Sequence, residues 1–404
     1  MSPPLVQLGF VDVDDVQEPL LVQEFPTKLG GLPFWLDPSR PLAAEKLTCG
    51  TCSEPMILLL QMYTAEDFPE EAYHRDLYLF VCRNGKCHRR DYRKCTRVFR
   101  AQLPLENDYF ATDPDSEATT LKPAYTSKAA RTCAICGVAA TKRCGKCQSD
   151  RAHYCSRSHQ AIDWTYGSHS ATCGKSGSDL SEPPATRLPR LLKQRFRYPE
   201  LSIVSEPEEM GDGVTPGSLV KLPKAPVEDE DYEESETGVD RAFLKFQKRI
   251  ERYPDQVLRY LRVSDEVDPV PLYVSDDGRP LVGDVAACPR CGTARTLECQ
   301  VLSTLLVHLP LDETDSQSYD FGTYFVYTCP DNCELKGEYA EEVVFRQDFS
   351  ADGMAPAGQR FDRVRGGLEE HGYNVDSGPA TEPVPATESE SESETEPSTE
   401  TDDK

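Results

Sequence analysis

Eight candidate metal ligands, six cysteines and two histidines, crowd into the stretch that begins CAICGVAATKRC and ends SHSATC. They stand as four close pairs with the spacing C-x2-C, C-x2-C, C-x3-H and H-x3-C. Zinc takes four nitrogen or sulfur ligands in a tetrahedron, and one close pair can supply two of them from a single turn. The pattern therefore predicts two zinc sites that are closed by protein ligands and are structural rather than catalytic. The predicted ligands are Cys133, Cys136, Cys144, Cys147, Cys155, His159, His169 and Cys173.

Two more groups of four cysteines lie on either side of this stretch. In each group a long gap separates two pairs, and the gap fits a strand and its return, which is how a zinc ribbon brings its pairs together. Each group predicts one four-cysteine zinc site, with buried free thiols as the alternative. The groups are Cys49, Cys52, Cys82 and Cys87, then Cys288, Cys291, Cys329 and Cys333. Cys95 and Cys299 are expected to be core thiols, and His88 is expected to face solvent.

The elements that must position these ligands form an internal repeat. The first half reads CGTC, MILLLQMY, LYLFVCRNGKC and VFR, and the second reads CPRC, VLSTLLVHL, TYFVYTCPDNC and VFR. In both halves the valine of VFR, Val98 or Val344, stands eleven residues after the last cysteine of its group. This order predicts two similar Cys-paired β modules, each stapled by zinc. The fold class is therefore α+β and dominated by strands, with the two copies forming either one body or two lobes.

Composition divides the chain into five segments. Pro, Ser, Gly and acidic residues dominate the stretches after the finger and at the end, which cannot bury enough apolar surface to fold. The predicted segments are an N-terminal Cys-paired β module at 1–110, a zinc finger at 131–174, an acidic and largely disordered linker at 175–238, a C-terminal domain with the second Cys-paired β module at 239–374, and a disordered acidic tail at 375–404.

One amphipathic helix is predicted directly after the linker, in DRAFLKFQKRIERYP. Asp240 is a suitable N-cap for it. Pro254 ends or kinks this helix. The apolar residues Val257, Leu258 and Leu261 predict a second short helix.

The charge of the 404-residue chain limits its partners. It carries 44 Lys and Arg against 69 Asp and Glu, for a formal net charge of −25. Such a charge repels nucleic-acid phosphates and anionic membranes and attracts basic partners. No apolar run of about 18 residues and no secretory signal is visible, so sixteen cysteines favour metal over disulfides. We expect a cytoplasmic monomer, also present in the nucleus, with no direct contact to DNA or membranes.

No catalytic motif accompanies the cysteine groups. The sequence contains no P-loop, no dinucleotide fingerprint, no G-x-S-x-G elbow and no protein-kinase set. We therefore expect a binding protein rather than an enzyme.

The central stretch resembles the MYND zinc finger at all eight ligand positions, and YCSRSHQAIDW resembles that family's Tyr-Cys segment. The resemblance implies interleaved sites, with one zinc on Cys133, Cys136, Cys155 and His159 and the other on Cys144, Cys147, His169 and Cys173. Members of that family usually have cysteine where His159 stands, which leaves His153 as a weaker substitute ligand. MYND fingers are protein-interaction modules that dock short proline-containing peptides, so the resemblance implies such peptides as partners.

The rest of the chain resembles the programmed cell death protein 2 family. KLGGLPFWL, CGTCSEPMILLLQMY and YHRDLYLFVCRNGKC resemble its N-terminal region, and RYPELSIVSEPE, FLKFQKRIERYPDQVLRYLR and CPRCGTARTLECQVLSTLL resemble its C-terminal domain. The resemblance implies a chaperone that escorts one basic ribosomal protein, universal small-subunit protein five (eukaryotic small-subunit protein two), toward assembly of the 40S subunit. An acidic chain fits a basic client, because opposite charges speed capture.

Two other classes of function stay open. A MYND-type adaptor in transcription or cell-death signalling would recruit its partners through the finger itself. A MYND-bearing methyltransferase fits less well, since no methyl-donor-binding motif accompanies the finger.

Overall fold

A computed structural model describes residues 6–12, 19–112, 119–147, 152–167, 169–174, 196–208, 240–262, 271–311 and 318–349. The strands in these ranges are β1 (Gln7–Val11), β2 (Lys28–Leu29), β3 (Ile57–Tyr63), β4 (His74–Val81), β5 (Thr96–Leu103), β6 (Phe110–Thr112), β7 (Thr119–Leu121), β8 (Lys142–Arg143), β9 (His153–Tyr154), β10 (Leu201–Pro207), β11 (Gln256–Tyr260), β12 (Thr296–Leu302), β13 (Thr323–Thr328) and β14 (Ala340–Gln347). The α-helices are α1 (Gly85–Asp91), α2 (Pro123–Ser127), α3 (Arg157–Thr165), α4 (His169–Thr172) and α5 (Arg241–Ile250). Short 3-10 turns lie at Val22–Glu24, Ala44–Leu47, Glu70–Ala72, Tyr92–Lys94, Val282–Asp284 and Ser303–His308.

Ten of the strands close into one barrel. Their order around it is β1, β10, β2, β3, β4, β5, β14, β13, β12 and β11, and β11 returns to β1. Every neighbouring pair is antiparallel. The strand-dominated fold is therefore confirmed, and the strands of both halves form one body, joined where β5 pairs with β14. Closure leaves these ten strands no free edge, which is the part of a sheet that pairs with foreign strands.

The first strand of each half pairs with strands of the other half. β1 pairs with β10 and β11, while β10 pairs with β1 and β2. The predicted linker at 175–238 is wrong in part, because residues 201–207 within it form β10 and pair with β1 and β2 in the barrel. Residues 175–195 and 209–239 lie outside the described residues, as does the chain from 350 onward, which includes the predicted tail.

The meanders β3–β4–β5 and β12–β13–β14 share one register. Each has a bulge at the same place in its first strand pair, after Leu58 in one meander and after Leu297 in the other. Beyond the bulge, the rows of paired residues are Leu60, Leu79 and Val98 in the first meander and Cys299, Val326 and Val344 in the second. The aligned valines are those that open VFR in each half, so the pairing register repeats together with the sequence motif.

β4 runs through the middle of the core, and all eight of its residues are buried. On one face the Trp35 ring packs on Tyr78, with the ring centroids 5.0 Å apart. In the barrel interior the Cys299 thiol donates to the Met62 sulfur at 3.6 Å, so β12 and β3 meet there. A strand that is covered on both faces has a continuous run of apolar residues. The runs MILLLQMY and LYLFV could therefore be recognised as buried strands from the sequence.

An ion pair crosses the barrel interior. Arg75 of β4 and Glu298 of β12 are both fully buried, with Nη1–Oε1 at 2.5 Å and Nη2–Oε2 at 2.7 Å. Three strands separate β4 from β12 around the barrel, so the pair links the halves through the interior rather than along the sheet. Glu298 is the bulge residue of β12, the position where the strand register shifts.

The predicted helix after the linker is confirmed as α5. The Asp240 carboxylate accepts a hydrogen bond from the Phe243 N–H at 3.0 Å and so caps it. The predicted second helix is wrong, because Val257 and Leu258 lie in the strand β11 and Leu261 directly follows it. Gln256 and the three residues after it are all buried, as in a strand covered on both faces. None of the described helices combines the length and the apolar character needed to cross a membrane.

Candidate metal centres

The structure brings the sixteen predicted ligands together in four groups. In each group the ligand atoms all lie within 4.8 Å of one another. The groups are Cys49, Cys52, Cys82 and Cys87; Cys133, Cys136, Cys155 and His159; Cys144, Cys147, His169 and Cys173; and Cys288, Cys291, Cys329 and Cys333. Each group offers four thiol or imidazole ligands, which is the donor set and the number that closed tetrahedral zinc requires.

Three of the C-x2-C pairs fold into the same turn. The residue after the second cysteine adopts a left-handed φ of 61° at Ser53, 75° at Gly137 and 81° at Gly292. Its N–H donates to the carbonyl of the first cysteine at 2.9, 2.9 and 2.8 Å, respectively. The N–H of the first cysteine donates in turn to the carbonyl five residues on, at 2.9, 2.8 and 2.9 Å. Glycine adopts this φ without strain, so two of the three turns have the residue that the geometry favours.

The strands explain how distant pairs meet in the two flanking groups. Cys52 lies in the turn before β3 and Cys82 directly follows β4, so the antiparallel hairpin places their sulfurs 3.6 Å apart. Cys291 before β12 and Cys329 after β13 meet in the same way, also at 3.6 Å. β4 and β13 run in opposite directions, because two strands stand between them in an antiparallel barrel. The two four-cysteine groups therefore lie at opposite ends of the barrel.

One thiol in each finger site and in each flanking group has a lowered pKa. Burial opposes ionisation of Cys144, but backbone N–H groups of its own turn and the His169 imidazole bond its sulfur and lower its pKa to about 6. Burial likewise opposes ionisation of Cys288, and N–H groups and neighbouring thiols lower its pKa to about 7. Burial and nearby thiols raise the pKa of Cys87 to about 12. Metal binding to such groups must release protons, because the ligand is the thiolate.

The start of α3 brings the least certain ligand of the finger into its group. The Ser156 hydroxyl caps α3 by accepting from the His159 N–H at 3.1 Å. Nδ1 of His159 then lies 3.1 Å from the Cys155 sulfur and 3.5 Å from that of Cys133. His153 lies in β9 and is not a member of the group. At the position where MYND fingers usually have cysteine, this chain has His159, and its imidazole lies close enough to the Cys155 and Cys133 sulfurs to bind the same metal ion.

The finger forms hydrogen bonds with the first half of the barrel and is not attached to it by the chain alone. The Trp35 indole N–H donates to the Gly137 carbonyl at 2.9 Å, in the first turn of the finger. The Ala139 N–H donates to the Leu42 carbonyl at 3.0 Å. Both barrel-side partners come from the segment between β2 and β3, so the first half fixes the orientation of the finger.

The cysteines outside the groups are fully buried, and His88 does not face solvent. Burial raises the pKa of Cys95 to about 12 and that of Cys299 well above its usual value. The prediction for His88 is wrong: its ring is buried, and its Nε2 bonds the Cys82 carbonyl at 2.7 Å. The reason is α1, which turns Cys87 and His88 inward together. Lys86, Arg89 and Arg90 of α1 are exposed.

Three family profiles match the chain in the order of these parts. "Programmed cell death protein 2, N-terminal domain" matches residues 5–117, "MYND finger" matches 133–173, and "Programmed cell death protein 2, C-terminal putative domain" matches 240–348. The first and third profiles cover most of the barrel strands, and the second covers the two central ligand groups.

Curated relatives match over most of their length. Programmed cell death protein 2 of Bos taurus is 34% identical over 361 residues, which cover 85% of this chain and 96% of the relative. The protein of the same name from Mus musculus is 34% identical over 364 residues, covering 86% and 98%. Programmed cell death protein 2-like of Homo sapiens is 25% identical over 324 residues, covering 76% and 85%. No solved structure gives a significant match.

Proposed function

The chain belongs to the programmed cell death protein 2 family, and from that premise we propose that it is a dedicated chaperone of a basic small-subunit ribosomal protein. The client that we propose is universal small-subunit protein five (eukaryotic small-subunit protein two), captured and escorted for 40S ribosome biogenesis. The protein acts by binding, without turnover, as a monomer in the cytoplasm and also in the nucleus.

The observation that carries this proposal is the net charge of −25. An unassembled ribosomal protein is strongly basic, and an acidic escort attracts it and competes with stray nucleic acid. Seven of the nine residues 228–236 are Asp or Glu. We infer that the acidic linker and tail hold basic segments of the client loosely, while the barrel supplies the specific contacts.

We also propose zinc as the metal of all four groups, two ions in the finger and one in each half of the barrel. The donor sets support this, because thiolates and imidazoles in closed groups of four are the ligands of structural zinc. The shared register of the two meanders supports a further proposal, that they are copies of one module.

A second candidate function is a MYND-type adaptor in transcription or cell-death signalling. It is favoured by Trp164 of α3, a large aromatic side chain that is 43% exposed on the finger. Proline-containing peptides are the partners that such a surface would take.

Co-purification from cytosol tests the two functions against each other. The full-length chain is isolated with and without active translation, and bound proteins are identified by mass spectrometry. A chaperone enriches universal small-subunit protein five, and more so while translation is active. Changing Cys144→Ser together with Cys147→Ser leaves that client bound to a chaperone, whereas an adaptor loses its main partner. Absence of the client from the wild-type sample would refute the chaperone.

A further inference from the structure

The loop between β3 and β4, residues 64–73, displays the most exposed large apolar side chain of the described residues. Phe68 is 83% exposed, compared with 50% for Leu244 on α5. Single exposed apolar side chains are common on protein surfaces, so exposure alone decides nothing. What sets Phe68 apart is the way in which its loop is held.

The loop is closed by its own backbone. The Thr64 N–H donates to the Arg75 carbonyl at 2.8 Å, and the Glu66 N–H donates to the Ala72 carbonyl at 3.1 Å. Ala72 is itself fully buried and donates to the Pro69 carbonyl at 2.7 Å. The tip that carries Phe68 is therefore fixed at its base.

The other half of the barrel holds the loop from outside. The Glu71 carboxylate accepts from the backbone N–H groups of Leu335 and Lys336 at 2.5 and 2.6 Å. The Glu66 carboxylate pairs with Nε of Arg262 at 3.0 Å. Charge-assisted hydrogen bonds of this kind are about twice as strong as neutral ones. They fix the loop against a part of the chain more than 190 residues away in sequence.

A further contact to the loop comes from the four-cysteine group of the second half. The Asn332 side chain donates to the Phe68 carbonyl at 3.2 Å. Asn332 is buried, has a left-handed φ of 44°, and lies between the ligands Cys329 and Cys333. A metal that fixes this turn therefore also fixes the backbone of Phe68. The exposed ring stands on a rigid support, which lowers the entropy lost when a partner covers it.

The loop that carries the ring is acidic. The loop reads TAEDFPEEAY, with four acidic residues and no Lys or Arg. Asp67 and Glu70 are exposed on either side of Phe68. The neighbouring turn is mixed in charge, because Glu334 and Lys336 are exposed and the exposed Arg290 and Arg40 donate to their backbone carbonyls at 3.4 and 3.3 Å. Tyr73 at the end of the loop lines a cavity of about 330 Å³. An apolar ring beside these carboxylates is complementary to a basic segment that also carries an apolar site.

We propose that the β3–β4 loop is the docking point for a basic segment of the client. Phe68 enters an apolar site of that segment, and Asp67 and Glu70 pair with its Lys and Arg side chains. The closed barrel favours this mode, because it offers no strand edge to which a peptide can add. The inference rests on the proposed chaperone function, since it assigns the contact surface of that function.

Binding of purified universal small-subunit protein five to the full-length chain is the first test. Phe68→Ala should weaken the affinity at least about tenfold, as expected for a central aromatic contact. Asp67→Asn with Glu70→Gln should mainly slow association and flatten its salt dependence. Leu244→Ala is the matched control and should change the affinity less than twofold. Thermal stability and zinc content should be unchanged in all variants. Equal affinity of wild type and Phe68→Ala would overturn the inference and leave the chaperone function standing.

Photo-crosslinking decides the docking point without assuming the client. Benzoylphenylalanine is introduced at position 68, or at position 244 as the control, and crosslinked proteins are identified by mass spectrometry. The expected result is one basic protein captured at position 68 only, and lost when Asp67 and Glu70 are neutralised. If that protein is not universal small-subunit protein five, the result supports the docking surface but shows that the named client is wrong. Capture of nothing, of an acidic protein, or of the same protein at both positions overturns the docking surface.

Discussion

Glu298→Gln tests whether the buried ion pair ties the two halves of the barrel together. Glutamine keeps the size of the side chain and one carbonyl oxygen, but it leaves the fully buried Arg75 guanidinium without its counter-charge. Burial by itself raises the pKa of Glu298, but attraction and hydrogen bonds from Arg75, helped by Arg262 and Thr328, lower it from 4.5 to about 2. That lowering corresponds to about 3 kcal/mol, at about 1.4 kcal/mol for each pKa unit.

The expected loss is therefore about 3–5 kcal/mol in the free energy of unfolding, which is the usual cost of removing one partner of a buried pair. Urea unfolding at pH 7 with zinc present, followed by tryptophan fluorescence, measures it. Glu341→Gln is the matched control, because Glu341 pairs with Arg97 at the surface and is half-exposed. Such a pair contributes about 1 kcal/mol or less. Arg75→Met combined with Glu298→Leu should regain most of the loss, because it removes both buried charges.

The pH dependence gives a second signature of the same pair. The folded pKa of Glu298 lies below its ordinary value of 4.5. The contribution of Glu298 to stability is therefore complete above about pH 4.5 and is lost as pH falls toward about 2. The difference in the free energy of unfolding between wild type and Glu298→Gln should be constant from about pH 8 to 5 and shrink below that. Proton-driven loss of the zinc that we propose would affect both proteins alike, because both carry the same thiols. A difference under about 1 kcal/mol at pH 7 would refute this reasoning.

Three further predictions follow from the histidines, the metal groups and the acidic segments. Burial lowers the pKa of His74 to about 4, so stability should fall as pH drops from about 6.5 to 4; His74→Phe should flatten this slope by up to about 1.4 kcal/mol per pH unit in urea titrations. Cys291→Ser should remove one zinc ion of the proposed four by elemental analysis, and it should also weaken client binding, since its group holds Asn332 and the Phe68 loop. Deleting 228–236 and 387–404 should slow client association about tenfold or more at low salt and flatten its salt dependence in stopped-flow measurements; an unchanged rate would show that the acidic segments do not steer the client.

The ligand groups were predictable because each pair is local in the sequence. A C-x2-C turn needs only a few consecutive residues, and glycine at 137 and 292 is what its left-handed position favours. The hairpin that joins two distant pairs was also predictable, since β3 and the second part of β4, LYLFV, are largely apolar runs. The failure at His88 has a local cause as well. α1 is short and begins at the Asn84 cap, so which of its faces turns inward depends on what it packs against, here Tyr319 of the other half.

Closure of the barrel left no local signal. β1 pairs with β11 across about 250 residues, as in Gln7 with Tyr260, and no spacing rule connects such segments. The same long-range pairing explains the error at β11. Four consecutive residues of β11 are buried because neighbouring strands cover both of its faces. Taken without those neighbours, the apolar residues of this segment are equally typical of a short helix.

The two four-cysteine groups do more than staple their own hairpins, because each one braces the opposite half of the barrel. At one end, Asn332 within the second-half group holds the carbonyl of Phe68 in the first half. At the other end, His88 beside the first-half ligand Cys87 packs its ring on Tyr319 of the second half, with the centroids 4.6 Å apart. A closed barrel has no free strand edge to which a partner could add a strand, so the client contact that we propose lies on a connecting loop. Loops are the least rigid part of most folds. The zinc that we propose for the two four-cysteine groups would make the loops that these groups contact more rigid.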